Sequence, residues 1–366
     1  ANKLWFVSTS HYFMNMDVET GQTSYVDWEE RDSWKEHAVL DKMLTCGTSI
    51  YWLDRDRNSV HEYNAESNEY CYYPLPEVEE NVLGYGFAGI YVYEDMIYFF
   101  LRNTLLVLRF DLRQKKWETY SELYLNWTSE NVKRENLVCS VQVCHWIYLF
   151  QSCGVIVKFN LDNFQHEYIT IPDELSNIIR VVWKNNKFYL LLSTGDVYIW
   201  DGKGENVEKI YSSLDTGRPF GEIYVTEHKM FLLPNRSEKI LIVDLQNYSI
   251  INQAECPEDI QYIDNTDGKY GAYTEDESYV WCDKRRANYI LRINKKDEKI
   301  EWLKMRLPSV QEEWFYRKKR GEIPMLYEKA ESLERLMQTD DNEKNNTDVK
   351  GSENIGETIW NALKEV

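Results

Sequence analysis

A cassette that repeats along the chain limits its fold more than any other feature. In the clearest copy, residues 97–120, an aromatic-rich apolar run (Ile97, Tyr98, Phe99, Phe100) leads through a polar turn to a second run closing on Asp111. Another turn follows, then a third run around Trp117. The leading aromatic returns as Trp5, Tyr51, Tyr98, Tyr148, Tyr189, Phe231 and Tyr279, at steps of 46, 47, 50, 41, 42 and 48 residues. The Asp or Asn ending the second run returns as Asp17, Asn64, Asp111, Asn160, Asp201, Asp244 and Asn294, at steps of 47, 47, 49, 41, 43 and 50. Two marker series that drift together define one unit of short strands, whose period falls within the roughly 40 to 50 residues of propeller repeats. Seven units predict an all-β chain, a seven-bladed β-propeller over residues 1–308, because a single blade buries its sheet faces only against its neighbours.

The first unit lacks its innermost strand. An open sheet edge exposes unpaired backbone groups, so a later apolar segment, residues 312–316, is expected to close the ring. Residues 309–338 thus read as a closing strand and a helix, with Pro324 at the helix start and Leu326, Leu333 and Met337 along one stripe. Residues 339–354 are polar and predicted to be a disordered linker. In 355–366, Ile355, Ile359, Leu363 and Val366 recur at helical spacing, an amphipathic helix too short to persist without a surface to dock on. The propeller therefore carries a short helical C-terminal appendage.

Charge narrows the range of partners. The formal net charge is −19, a field that repels phosphate backbones, so nucleic acid is excluded as a general ligand. No apolar run is long enough to span a membrane. Seven scattered cysteines (Cys46, Cys71, Cys139, Cys144, Cys153, Cys256, Cys282) read as reduced thiols within strands, which points to the cytoplasm, with a secreted or cell-surface location as the alternative. Cys139 and Cys144 differ by an odd number on one expected strand, so they face opposite sides and share no metal.

Several local motifs stand outside the context that their chemistry requires. Gly84-Tyr85-Gly86-Phe87-Ala88-Gly89 has dinucleotide-loop spacing, yet a β-rich segment follows it where a helix is required. Residues 213–220 are similar to the Asp box of sialidase-type propellers, with Pro219 in place of Thr, but the segment falls between blades. The six histidines are dispersed and read as surface or edge residues. Asp54, Asp56, Asn58 and Glu62 alternate around a hairpin as calcium ligands do, although Ser59 replaces the usual Gly and Arg55 and Arg57 intervene. No cofactor motif is present, and there is no G-x-S-x-G elbow, Walker loop or H-E-x-x-H.

The Ile97-Tyr98 run, the Phe110-Asp111 pair and Trp117 six residues later resemble the blades of kelch and galactose-oxidase-like propellers, in weaker form over residues 3–308. The resemblance implies a kelch-like blade plan; Leu101-Arg102 stands where that family has a Gly-Gly pair, and copper ligands do not align. A further signal lies in the hairpins that follow the leading aromatic strand. They carry Arg55, Arg57, Arg102, Arg236, Arg285 and Arg286, and propeller topology gathers such hairpins on one face with the blade-to-blade links. Guanidinium groups so collected suit carboxylate or phosphate recognition; the alternative is local pairing with Asp54, Asp56, Glu238 or Asp283. The expected function is a non-catalytic module binding an acidic peptide, protein or glycan at that face. Alternatives are a carbohydrate-active enzyme, hydrolase or lyase, with channel carboxylates, and a scaffold docking through its C-terminal helices.

Overall fold

The computed structural model describes residues 3–7, 13–25, 40–54, 59–75, 87–101, 107–120, 137–151, 154–172, 175, 177–203, 206–213, 219–235, 239–258, 270–284 and 287–306. The chain divides into two units, 1–308 and 309–366. The expected closing strand, helix, linker and terminal helix of the second unit lie outside the described residues.

The first unit is an all-β, seven-bladed propeller. Blade 1 is the three-stranded sheet β1 (Lys3–Val7), β2 (Phe13–Asp17) and β3 (Thr23–Tyr25). Six four-stranded antiparallel sheets follow. Blade 2 comprises β4 (Leu40–Cys46), β5 (Ser49–Asp54), β6 (Ser59–Asn64) and β7 (Tyr70–Pro74); blade 3, β8 (Phe87–Tyr93), β9 (Met96–Leu101), β10 (Val107–Asp111) and β11 (Lys116–Tyr120). Blade 4 comprises β12 (Leu137–Val143), β13 (Trp146–Gln151), β14 (Val155–Asn160) and β15 (His166–Thr170); blade 5, β16 (Ile178–Lys184), β17 (Lys187–Leu192), β18 (Val197–Trp200) and β19 (Val207–Tyr211). Blade 6 comprises β20 (Phe220–Val225), β21 (Lys229–Pro234), β22 (Ile240–Asp244) and β23 (Ile250–Ala254); blade 7, β24 (Tyr270–Glu275), β25 (Tyr279–Lys284), β26 (Tyr289–Asn294) and β27 (Ile300–Lys304). Within each sheet the strands run in chain order. The first strands of successive blades approach one another, as β8 does β12 and β12 does β16, and these innermost strands surround the axis.

Burial follows from that order. Second strands lie between blades on both faces and are almost continuously apolar, as in β9 (MIYFFL) and β17 (KFYLLL). Outermost strands alternate or are largely exposed, as in β15 and β23. The core is a set of wedges between blades: Tyr51, Val60, Phe99 and Phe110 join blades 2 and 3, while Tyr189, Leu191, Ile223 and Leu232 join blades 5 and 6. Burying such a side chain contributes about 1.5–3 kcal/mol relative to exposure.

The Asp/Asn series marks the turn between third and fourth strands. In every blade its Oδ1 accepts the backbone N–H two residues on, as from Glu19, Glu66, Arg113, Asp162, Lys203, Gln246 and Lys296. This side-chain bond holds the turn, and it explains why only Asp or Asn occupies the position. In six blades the residue four places after the Asp or Asn returns its N–H to that residue's carbonyl, and it does so in the left-handed region: Gly21 (φ 72°), Asn68 (59°), Lys115 (56°), Phe164 (61°), Tyr248 (57°) and Glu298 (55°).

Most of these closing residues reach the preceding blade. Lys115 of blade 3 binds Glu62 of blade 2, at 2.7 and 2.8 Å to its two oxygens. Phe164 of blade 4 lies under Arg109 of blade 3, 4.6 Å from guanidinium carbon to ring centroid. Tyr248 of blade 6 packs on the wedge it shares with blade 5, and the Glu298 carboxylate of blade 7 accepts the His228 N–H of blade 6 at 3.1 Å. Gly21 of blade 1 approaches Lys304 of blade 7 so closely that a Cβ there would sit 2.3 Å from the Lys304 carbonyl oxygen.

Blade 7 meets blade 1 through a parallel bridge between Gln22 and Arg306, with Thr23 N–H donating to the Arg306 carbonyl at 3.0 Å. Met16, Trp281 and Ile290 form the wedge of that seam, with Leu4, Val18, Leu303 and Met305 packed against it. The register also corrects one marker. Asn294 pairs with Tyr279, as Asp111 does with Met96, so the counterpart of Tyr98 in blade 7 is Trp281, not Tyr279. From Phe231 to Trp281 is 50 residues, the same step as from Asp244 to Asn294.

Candidate functional site

Pairing fixes which strand ends share a face. In each four-stranded blade the first residue of the innermost strand pairs with the last residue of the second strand: Leu40 with Asp54, Phe87 with Leu101, Leu137 with Gln151, Ile178 with Leu192, Phe220 with Pro234 and Tyr270 with Lys284. The blade-to-blade links arrive at that end, and from it the chain runs on into the Arg-bearing hairpins. Arg55, Arg57, Arg102, Arg236, Arg285 and Arg286 themselves lie outside the described residues. So do Asp56, Asn58 and the side chain of Asp54.

All six pairings carry a register shift immediately after that first residue. A bulge bends its strand and leaves a residue out of the ladder, here around the axis on the link face. In blades 3 and 5 a side chain takes up the released carbonyl. Ser140 Oγ of blade 4 donates to the Ala88 carbonyl of blade 3 at 2.8 Å and shares a 2.7 Å bond with the Tyr91 hydroxyl. Arg180 Nη1 donates to the Ile179 carbonyl at 2.8 Å, while its Nε donates to Glu222 on the innermost strand of blade 6. The residues that resume pairing after the skipped one are Gly89, Cys139, Arg180 and Glu222 in blades 3 to 6.

Arg180 and Glu222 therefore form a charged pair at the inner rim, the guanidinium side chain 33% exposed and the carboxylate side chain 6%. Tyr224 and Tyr273 stand beside it edge to face, with centroids 5.5 Å apart. Burial first, then the carboxylates of Glu222 and Glu275, hold the Tyr273 hydroxyl well above the ordinary phenol range; burial and Glu275 do the same for Tyr224. Neither Arg180 nor Glu222 belonged to the sequence-derived set. A signal was present, since the two are 42 residues apart, the step from Tyr189 to Phe231, and each is a charge near the start of an otherwise apolar stretch.

Glu62 lies in a different environment. Its two oxygens accept bonds from Ser49 (2.8 Å), Tyr51 (2.6 Å), Tyr73 (2.8 Å) and Lys115. Burial alone would raise its pKa; the bonds from Lys115, Tyr51, Ser49 and Tyr73 outweigh it, so the carboxyl sits below its ordinary value. His61, expected at a surface or edge, is 1% exposed. It stacks on Trp52 at 5.5 Å and bonds Ser59 Oγ at 2.8 Å and the Tyr70 hydroxyl, so blade 2 buries it with its polar atoms satisfied. His145 and His228 lie in turns between first and second strands.

The remaining motifs fall into place as structure. Gly89 lies in β8, where a Cβ would sit 2.1 Å from Ser140 Oγ; glycine is needed there for close blade contact, and a strand follows, not a helix. The Asp-box-like segment links β19 to β20, between blades. Cys139 is buried in β12, while Cys144 is exposed in the turn after it with φ 55°. Among the described residues no three His, Cys, Asp or Glu side chains converge as a metal-ion site requires, and no helix is long and apolar enough to cross a membrane.

No family model and no curated protein sequence matches the chain. Solved structures do match in fold. PorZ, a bacterial surface component of the type-IX secretion system of Porphyromonas gingivalis, superposes with a TM-score of 0.57 at 10% identity, over 84% of this chain and 37% of its own. Virginiamycin B lyase from Staphylococcus aureus gives 0.53 at 12% identity over 74% and 85%, and BamB from Moraxella catarrhalis 0.50 at 12% over 84% and 81%. The chain thus spans little more than a third of PorZ. At such identities the likeness is one of fold alone, and it agrees with the seven-bladed β-propeller that the sheets of this chain form.

Proposed function

We propose that the protein is a non-catalytic binding module that takes an acidic ligand, a protein segment or a glycan, on the link face of a kelch-like propeller. One observation carries the reading: the register brings the ends of β5, β9, β21 and β25 to the same face, and from those ends the chain continues directly into the hairpins of Arg55, Arg102, Arg236 and Arg285. A planar guanidinium donates two parallel bonds to a carboxylate, so an array of them on a body of net charge −19 is a local exception that suits anionic groups. The inner rim also favours binding over glycoside hydrolysis. A glycosidase sets two carboxyl groups across the scissile bond, whereas the described rim pairs its Glu222 with Arg180.

PorZ, one of the fold neighbours, is a surface component, which favours a secreted or cell-surface location over the cytoplasm; protein is then the more accessible ligand class. Peptide and glycan arrays probed with the wild type and an Arg102→Ala/Arg236→Ala variant test the reading. Acidic features should dominate the wild-type hits and weaken about tenfold or more in the variant, since hydrogen bonds to charged groups contribute about 1.5–3 kcal/mol each. Identical profiles for the two proteins would remove the Arg face as the site.

A further inference from the structure

We infer that Arg180 is the innermost anchor of the acidic-ligand face, a preformed guanidinium at the bulged end of an innermost strand that receives a carboxylate side chain of a bound peptide. The inference rests on the proposed function and adds to it a residue, a position and a ligand group. Arg180 follows the bulge of β16, at the end where Ile178 pairs with Leu192, which is the end that carries the links and the hairpins. Two bonds fix it: Nε donates to Glu222 and Nη1 to the Ile179 carbonyl. Its Nη2 has no partner among the described residues, and a third of the side chain is exposed.

The arrangement is particular to this blade. All six four-stranded blades have the bulge, yet the residues that resume pairing after it in blades 3 to 6 are Gly89, Cys139, Arg180 and Glu222, and Arg180 alone among these is a cation. An arginine serving only to neutralise Glu222 would not need a bulge carbonyl as a second support. Held at Nε and Nη1, the guanidinium keeps its outer nitrogen in a set direction, so a ligand carboxylate meets a donor whose rotamer entropy is already lost. A peptide fits better than a glycan at this point because an Asp or Glu side chain projects from an extended backbone and can reach a donor that is two-thirds buried.

The test measures binding of a fluorescein-labelled oligoglutamate peptide by anisotropy. The variants are Arg180→Gln/Glu222→Gln, which removes both charges and so leaves no buried carboxylate unpaired, and Arg180→Lys, which keeps the charge but loses the fork. Near-ultraviolet circular dichroism and the melting temperature report whether each is folded. The expected result is a wild type that binds and a double variant about tenfold weaker, with Arg180→Lys intermediate. If Arg102→Ala/Arg236→Ala weakens binding while both Arg180 variants, folded as the wild type, bind equally well, the anchor is overturned and the proposed function stands. If the wild type does not bind the peptide, acidic-peptide recognition fails and the anchor with it. If the double variant does not fold, Arg180→Lys decides alone: wild-type affinity would overturn the anchor.

Discussion

Lys115 meets two demands at one residue. It closes the turn after Asp111 in the left-handed region (φ 56°), a conformation that is uncommon for a non-glycine residue, and its ammonium neutralises the largely buried Glu62 carboxylate of the neighbouring blade. Replacing it with Met keeps the aliphatic stem but leaves Glu62 without its counter-charge; a loss of about 1–3 kcal/mol in urea unfolding is expected. The pH dependence has a definite sign. Glu62 has a depressed folded-state pKa, so its stabilisation is complete above the ordinary Glu value of about 4.3 and disappears as pH falls through the depressed value. The stability gap between wild type and Glu62→Gln should therefore be constant near neutrality and shrink in acid below that point. A gap that widened in acid would show that Glu62 is not ionised in the fold.

The turn is the element in which sequence and structure correspond most closely. All seven Asp or Asn markers are structurally equivalent, because the position demands a short side chain with an acceptor oxygen, and such a demand is readable as residue type. The aromatic series failed at its last member for the opposite reason: Tyr279 and Trp281 both satisfy an apolar demand, and only the pairing with Asn294 separates them. The bulges were not legible at all. The residues skipped in blades 3 to 6, Ala88, Val138, Ile179 and Gly221, are all apolar, but so are most of their strand neighbours, and nothing in residue type marks them out. The burial of His61 is not legible from a dispersed set of histidines, because its partners Trp52 and Tyr70 arrive from adjacent strands. If the turn bond is what the marker contributes, Asn160→Ala, which strips acceptors from the Asp162 and Asn163 N–H groups, should cost about 0.5–2 kcal/mol, by analogy with helix caps. Asn160→Asp should retain most of it. Thermal melts of the two variants separate loss of the bond from loss of packing.

For the whole molecule, the ring is as sound as its last seam. Blade 1 has three described strands where the others have four, and its contact with blade 7 relies on Met16, Trp281 and Ile290 together with the Gln22–Arg306 bridge. Met16 is fully buried there. Met16→Ala should destabilise the propeller by about 2–5 kcal/mol, and limited proteolysis should then cut first at blades 1 and 7. First cuts within blades 3 to 5 would show that the seam is not the weak point. The proposed site is only partly a matter of sequence. The hairpin arginines are proposed from composition and topology and lie outside the described residues, whereas Arg180 and Glu222 acquire meaning only when two blades are set side by side.

The left-handed closing residues carry a consequence for how such a chain can evolve. Lys115 finds a carboxylate, Glu62, and Phe164 finds a guanidinium, Arg109, at the same place on the blade before: two residues ahead of the Asp or Asn marker. Exchange blades 3 and 4 and Lys115 would meet Lys158, while Phe164 would meet Glu62, the one pairing repulsive and the other unmatched. Blades built on one plan thereby form an ordered alphabet. A circular permutant, which keeps every neighbour, preserves the message, and a reshuffled ring does not.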